Sequence, residues 1–237
     1  MHGIAVVIRK ELRTYFNSPI AYVFLLFFLG ASLASFFHQA WTRDEASVRD
    51  LFEALPLLLL FLVPALTMRL WSEERKLGTL EVLLTLPLRD GEVICGKFFA
   101  SLVLLALALA LTAGAPITMA LLGPLDWGPV LGGYLAAFLL GAAYLSVGLF
   151  ISSMTENQIL AFLGALLCCF FLWAVGEEFV IRILPQRLAD IGQLVGTGAR
   201  FRSIGRGVLD LRDLLYYGSI VVAMLHLNAT TLAARKG

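Results

Sequence analysis

Long runs nearly free of charge recur along the chain, and each has the length that a bilayer requires. Residues 20 to 37, IAYVFLLFFLGASLASFF, contain no Asp, Glu, Lys or Arg, and as a helix they reach about 27 Å, close to the hydrocarbon thickness. Further predominantly apolar runs occupy residues 51 to 70, 98 to 122, 130 to 152, 159 to 176 and 214 to 233, each bounded by polar, Gly or Pro residues. This pattern predicts an all-α polytopic membrane protein with six transmembrane helices over residues 20 to 237. An even number of crossings puts both termini on one side. The competing reading of the first run as a signal peptide, with a basic region before it and ASLAS at its end, does not explain the runs that follow.

Composition agrees and narrows the function. Hydrophobic residues make up 59% of the chain and charged residues 15%, where soluble domains carry about a quarter. The formal net charge of +1 argues against a nucleic-acid binder, which needs a basic surface to neutralise phosphates, so no nucleic-acid partner is expected. Cys95, Cys168 and Cys169 are too few for a disulfide framework and read as small packing residues.

The charges that are present collect between the runs. In SEERKLGTLEVLLTLPLRDGE, residues 72 to 92, Glu73, Glu74, Arg75 and Lys76 stand in a row. Four charges at the centre of a crossing helix would cost on the order of 10 kcal/mol, so this stretch lies outside the hydrocarbon. After it Leu80, Leu83 and Leu84 share a helical face, Pro87 stops the run, and Gly78 and Thr79 fit a turn and an N-cap. A short surface helix that docks a partner and a solvated loop both fit this spacing.

The vote of Lys and Arg on orientation is close. Arg9, Lys10, Arg13, Arg69, Arg75, Lys76, Arg89, Lys97, Arg235 and Lys236, ten in all, flank one side, against Arg43, Arg49, Arg182, Arg187, Arg200, Arg202, Arg206 and Arg212, eight in all, on the other. Weighting the first two spans places the N-terminus, residues 71 to 92 and the C-terminus in the cytoplasm. Ahead of the first span, Ile4, Val7, Ile8, Leu12, Tyr15 and Phe16 recur at helical spacing with Arg9, Lys10 and Arg13 on another face. Residues 1 to 19 therefore read as an N-terminal amphipathic interfacial helix, or as an ordinary basic flank.

Two further features bear on the spans. Gly133, Ala137 and Gly141 form a small-residue ladder suited to close helix contact, within the chain or across a dimer. Pro64 and Pro116 are expected to kink the second and third spans.

MRLWSEERKLGTLEVLLTLPLRDGEVICGKFFA after the second span, with GVLDLRDLLYYGSI opening the last, resembles the permease subunits of type-2 ATP-binding cassette (ABC) transporters, in particular the gliding-motility-type permeases. The resemblance runs from residue 9 to the end, and Glu74, Gly78, Thr79, Glu81, Leu83, Leu84 and Pro87 carry its most specific pattern. It implies that the N-terminal helix and the loop after span two, as a coupling helix, contact cytoplasmic ABC ATPase subunits. Carried over, those coupling roles fall on Arg9 and Arg13, and on Glu73, Glu74, Gly78, Thr79, Leu80, Glu81, Leu83 and Leu84. It also implies a substrate pathway formed with a second permease copy or a related permease, export across the bacterial inner membrane, and a short, partly inserted extracytoplasmic helical segment over residues 177 to 212.

No G-x-x-x-x-G-K-[ST] loop occurs. ATP and Mg would therefore be bound by the partner ATPase, and this chain is expected to hold no cofactor and no enzyme site of its own. His2, His38 and His226 are widely spaced, and no H-E-x-x-H or C-x-x-C occurs, so no metal site is expected. The alternative is a membrane-embedded hydrolase of the prenyl-protease type: EEFVIR, Glu177 to Arg182, matches the E-E-x-x-x-R pattern of that family, with Glu177 and Glu178 as the water-activating pair. Only His226 follows, and the family's histidine patterns are missing.

Overall fold

A computed structural model describes residues 2–43, 48–80, 89–123, 125–183, 185–207 and 210–234, and among them only helices, turns and short connections occur. The first helix, α1 (His2–Phe16), passes through Asn17 and Ser18 into α2 (Pro19–Arg43). Proline suits that first position because its missing N–H would have been unpaired anyway. Then come α3 (Val48–Thr67) and α4 (Ser72–Lys76), and α5 (Asp90–Leu111) with α6 (Gly114–Leu122). The longest helix is α7 (Trp127–Met154), followed by α8 (Gln158–Ala174). Three short helices, α9 (Glu178–Ile183), α10 (Gln186–Val195) and α11 (Thr197–Gly205), lead to α12 (Leu211–Ala233). Asp126, Asn157 and Asp210 start α7, α8 and α12 by accepting the N–H of Gly128, Ile159 and Arg212, each at 2.9 Å.

Five stretches have the length and apolarity of a membrane crossing: Pro19–His38, Leu51–Lys76, Asp90–Leu122, Trp127–Met154 and Leu211–Ala233. The run expected as the fifth of six spans becomes α8, whose 17 residues reach only about 25 Å against a hydrocarbon thickness of about 30 Å. The third crossing is broken at Thr112 and Ala113. Pro116 has no N–H for the Thr112 carbonyl, which accepts instead from Ala115 at 3.1 Å, and the expected kink becomes a turn just upstream of the proline.

The axis of the fold is α7, buried on most of its surface and packed against α3, α5, α8, α11 and α12. Its glycines let neighbours in. A Cβ on Gly133 would lie 2.5 Å from the Phe52 ring of α3, one on Gly141 2.5 Å from Leu105 of α5, and one on Gly148 inside contact distance of Thr67. Gly133 and Gly141 of the ladder are thus occupied within the chain. Gly141→Ala presses only on the flexible tip of Leu105, so an overpacking loss of about 1–3 kcal/mol is expected, measurable as thermal unfolding in detergent.

Contacts along α7 also fix depth. The Ser152 hydroxyl accepts the N–H groups of Trp71 (3.1 Å) and Ser72 (3.3 Å) and donates to the Met68 carbonyl (3.1 Å). At the other end, Gly132 abuts the Ile204 carbonyl. Twenty residues of helix separate positions 132 and 152, about 30 Å, so α4 and the end of α11 lie at opposite ends of α7. From there α11 descends along α7, because the Thr197 hydroxyl meets both the Tyr144 hydroxyl and the Leu172 carbonyl at 3.3 Å. That is about 18 Å below Gly132, level with the end of the short α8.

Candidate functional site

The turn after α3 gathers the charges that the spans exclude. In α4, Glu73 and Glu74 occupy the first turn and Arg75 and Lys76 the last, the order that the helix dipole favours. The helix stops at Gly78, whose φ of 69° lies in the left-handed region that glycine adopts without a Cβ clash. Its N–H donates to the Arg75 carbonyl at 3.1 Å, and that of Leu77 to Glu73 at 3.0 Å. Helical backbone resumes at Thr79 and Leu80. The Thr79 hydroxyl donates back to the Glu74 carbonyl at 3.3 Å, Leu80 is buried, and Leu77 stands 67% exposed. Glu81, Leu83 and Leu84, with Pro87, lie outside the described residues.

The charges of α4 tie it to its surroundings. Glu73 accepts from Arg69, one turn earlier, at 2.9 Å, and Arg69 also donates to the Ser18 hydroxyl between α1 and α2. Arg75 pairs with Glu156 at 2.9 Å and donates to the Ser153 carbonyl at 3.2 Å, which fastens α4 to the corner between α7 and α8. Glu74 turns inward. Its Oε1 accepts from Lys10 at 2.8 Å and lies 3.0 Å from the ammonium of Lys97.

Lys97 is 1% exposed, two turns into α5. Its Nζ donates to Glu11 Oε1 at 2.9 Å and to the Leu70 carbonyl at 2.7 Å, pairs with Glu74, and sits 4.8 Å from the centre of the Trp71 ring. With Lys10 3.5 Å from Glu11, two ammonium groups and two carboxylates form a closed, neutral quartet joining α1, α4 and α5. In the sequence Lys97 bears only on orientation, and Glu11 belongs to no motif. The available signal was a single charge inside the apolar run VICGKFFASLVLL, since an ion there requires a partner.

The quartet explains how α1 docks. Val7, Glu11 and Tyr15, four residues apart, are its buried side. Val7 packs on Gly96, Glu11 meets Lys97, and the Tyr15 hydroxyl donates to the Leu66 carbonyl at 2.9 Å and lies 3.0 Å from the Ser101 hydroxyl. Burial raises the Tyr15 phenol well above its ordinary pKa, opposed in part by the Ser101 hydrogen bond. For Lys10, burial works to lower the pKa, but the hydrogen bond to Glu74 and the charges of Glu74 and Glu11 outweigh it and raise the ammonium above 10.5. A raised cation contributes stability below the unfolded value and loses it above the folded one. The Lys10 contribution to α1 docking is therefore expected to persist through neutral pH and to fade only above about pH 10.5, seen as faster proteolysis of residues 2–16. Arg9 and Arg13 face outward beside the exposed Val6 and Phe16, with no ion-pair partner among the described residues.

At the opposite end two arginines of the arginine-rich segment, Arg200 and Arg202, are paired. Arg202 donates both to Oε1 (2.9 Å) and Oε2 (2.8 Å) of Glu177, Arg200 pairs with Asp213 at 2.9 Å and lies 4.2 Å from the Tyr216 ring centre, and the Tyr217 hydroxyl donates to the Thr197 carbonyl at 3.0 Å. The structure does not bring Glu177 and His226 together. Glu177 belongs to the same α11 layer as the Arg200–Asp213 pair, and His226 lies thirteen residues beyond Asp213 along α12, about 20 Å away. The Glu178 side chain lies outside what is described. Among the described residues no group of three or more His, Cys, Asp or Glu is placed to hold a metal ion.

A family model described as ABC-2 family transporter protein matches residues 5–235. No curated protein matches the chain.

Proposed function

The chain belongs to the ABC-2 family of transporter proteins, and from that premise we propose that it is the permease subunit of an ATP-driven exporter of the gliding-motility type, working with a second permease and with separate ABC ATPase subunits. Membership makes it a multi-pass membrane protein and a transport component. The finer reading is that ATP and Mg are handled by the partner ATPases, and that the chain crosses the bacterial inner membrane six times with both termini in the cytoplasm. In that reading α8 completes its crossing with residues 175 to 207, which supply the depth that its 17 residues lack.

The observation that carries the proposal is the arrangement at one end of α7. There α4, the turn at Gly78 and α1 are clamped together, while Leu77, Arg9 and Arg13 stay open to a partner. ATPase closure pressing on α4 would be passed to the corner between α7 and α8 through Arg75 and Glu156, and to α5 through Lys97.

The test is co-purification with an ABC ATPase encoded beside this chain. Wild type is expected to retain it, and Leu77→Asp combined with Arg13→Glu to lose at least tenfold of it with unchanged thermal unfolding. Undiminished binding by that variant would remove this surface from the docking site, and failure of wild type to bind any such ATPase would sink the proposal. For topology, single cysteines at Lys76 and Arg206, in a background without Cys95, Cys168 and Cys169, are expected to react with an impermeant thiol reagent from opposite sides. Reaction of both from one side would overturn the six-crossing reading.

A further inference from the structure

We propose that the Lys97 ammonium is a joint that makes α1, the turn at residues 68 to 76 and the first two turns of α5 move as one body, so that Lys97 is a positioning residue for coupling. The inference rests on the permease reading for its purpose, and on the geometry alone for its existence.

Three separate stretches of chain converge on one Nζ: Glu11 from α1, Leu70 and Glu74 from the turn, and Lys97 itself from α5. Shifting the turn withdraws the Leu70 carbonyl and the Glu74 carboxylate together. Shifting α1 withdraws Glu11. With Lys97 1% and Glu11 8% exposed at their side chains, water does not replace a lost partner, and an uncompensated buried charge is strongly disfavoured. None of the three elements can therefore leave alone. The other pairs of the region differ, because Glu73 and Glu156 are 36% and 64% exposed and can exchange partners with water.

The chemistry suits an ammonium. It donates hydrogen bonds to Glu11 and to the Leu70 carbonyl while its compact charge faces Glu74 at 3.0 Å, whereas a guanidinium is a flat fork. A second layer lies one turn along α5, where Ser101 donates to the Lys97 carbonyl at 3.0 Å and meets the Tyr15 hydroxyl. Sequence separations of 86 and 27 residues mean that the joint links elements which the chain order leaves independent.

The experiment separates a joint from mere charge balance. In Lys97→Met with Glu11→Met no buried charge is left alone, because Glu74 keeps Lys10. Spin labels at Thr14 and Lys76, in the cysteine-free background, report the spread of distances between α1 and α4 in the isolated permease. Wild type is expected to give a narrow distribution, and the double variant one at least twofold broader at a thermal midpoint near that of wild type. Should the double variant fail to fold, Glu11→Gln, which keeps shape and an acceptor oxygen, is expected to broaden the distribution measurably. A distribution as narrow as wild type in every folded variant overturns the joint. In vesicles with the ATPase, stimulated ATP hydrolysis is expected to fall at least tenfold in the double variant although the ATPase stays bound, and full stimulation would overturn the positioning role. Absence of ATPase binding by wild type would instead count against the permease reading, since the label measurement does not depend on it.

Discussion

Gly196→Ala is expected to be among the most damaging single-methyl changes in the chain. Gly196 closes α10 and opens α11 with an ordinary φ of −72°, so the reason is space rather than backbone conformation. Its nearest neighbours are backbone: a Cβ there would fall well inside contact distance of the Gly176 main chain and 2.8 Å from the Gly192 carbonyl. The approach is mutual, since a Cβ on Gly176 would lie 2.8 Å from Gly196 Cα. A side-chain tip can swing away, as Leu105 can from position 141, but two main chains cannot. The loss is therefore expected at the top of the overpacking range, about 3 kcal/mol, with α11 displaced from α8. Thermal unfolding followed by tryptophan fluorescence, beside the control Gly218→Ala at a helical glycine with nothing within 4 Å, gives the comparison. Equal midpoints for the two variants would show that the Gly176–Gly196 contact is not tight.

Asp213→Ala is expected to cost as much or more. Arg200 and Asp213, 13% and 8% exposed at their side chains, pair at 2.9 Å and hold α11 to the start of α12. Removing the carboxylate leaves a guanidinium against the Tyr216 ring with the Leu194 carbonyl as its other acceptor, and breaking such a pair typically costs about 3–5 kcal/mol. Replacing both, Arg200→Met with Asp213→Leu, is expected to recover most of the loss, because an ion pair exchanged for packed apolar groups is often close to neutral. A double variant as unstable as Asp213→Ala would mean that the pair itself, and not the orphaned charge, determines the stability of this layer.

Length and hydropathy are properties of one segment, and they were legible. The five stretches of crossing length fall where apolar runs stand, and the turn at Gly78 falls where glycine interrupts a charged stretch. The shortness of α8 was less visible, because Val175 and Gly176 continue its apolar run while their backbone turns toward Gly196. The quartet was the least legible part. Glu74 reads as a docking charge beside Glu73, and nothing local says that one faces Arg69 on the surface and the other a lysine twenty-three positions away inside. Charge pairing across 86 residues is decided by how α1 and α5 pack, and packing is set by many side chains at once. Of the arginines of residues 182 to 212, Arg200 and Arg202 are held by Asp213 and Glu177, pairings that their sequence separation hides.

The two glycine notches of α7 that receive α3 have a mechanical meaning. Phe52 enters at Gly133 and Thr67 at Gly148, fifteen residues apart on both helices, so α3 and α7 run parallel and are pinned at two points about 22 Å from each other. A rod held at one point pivots, and a rod held at two does not. The pair is a beam, and a slide of one helix past the other must clear both notches together, in steps of a turn, about 5.4 Å, rather than by small angles. Any bending is then left to elements outside the beam, among which α2 and α12 are the least buried of the stretches of crossing length.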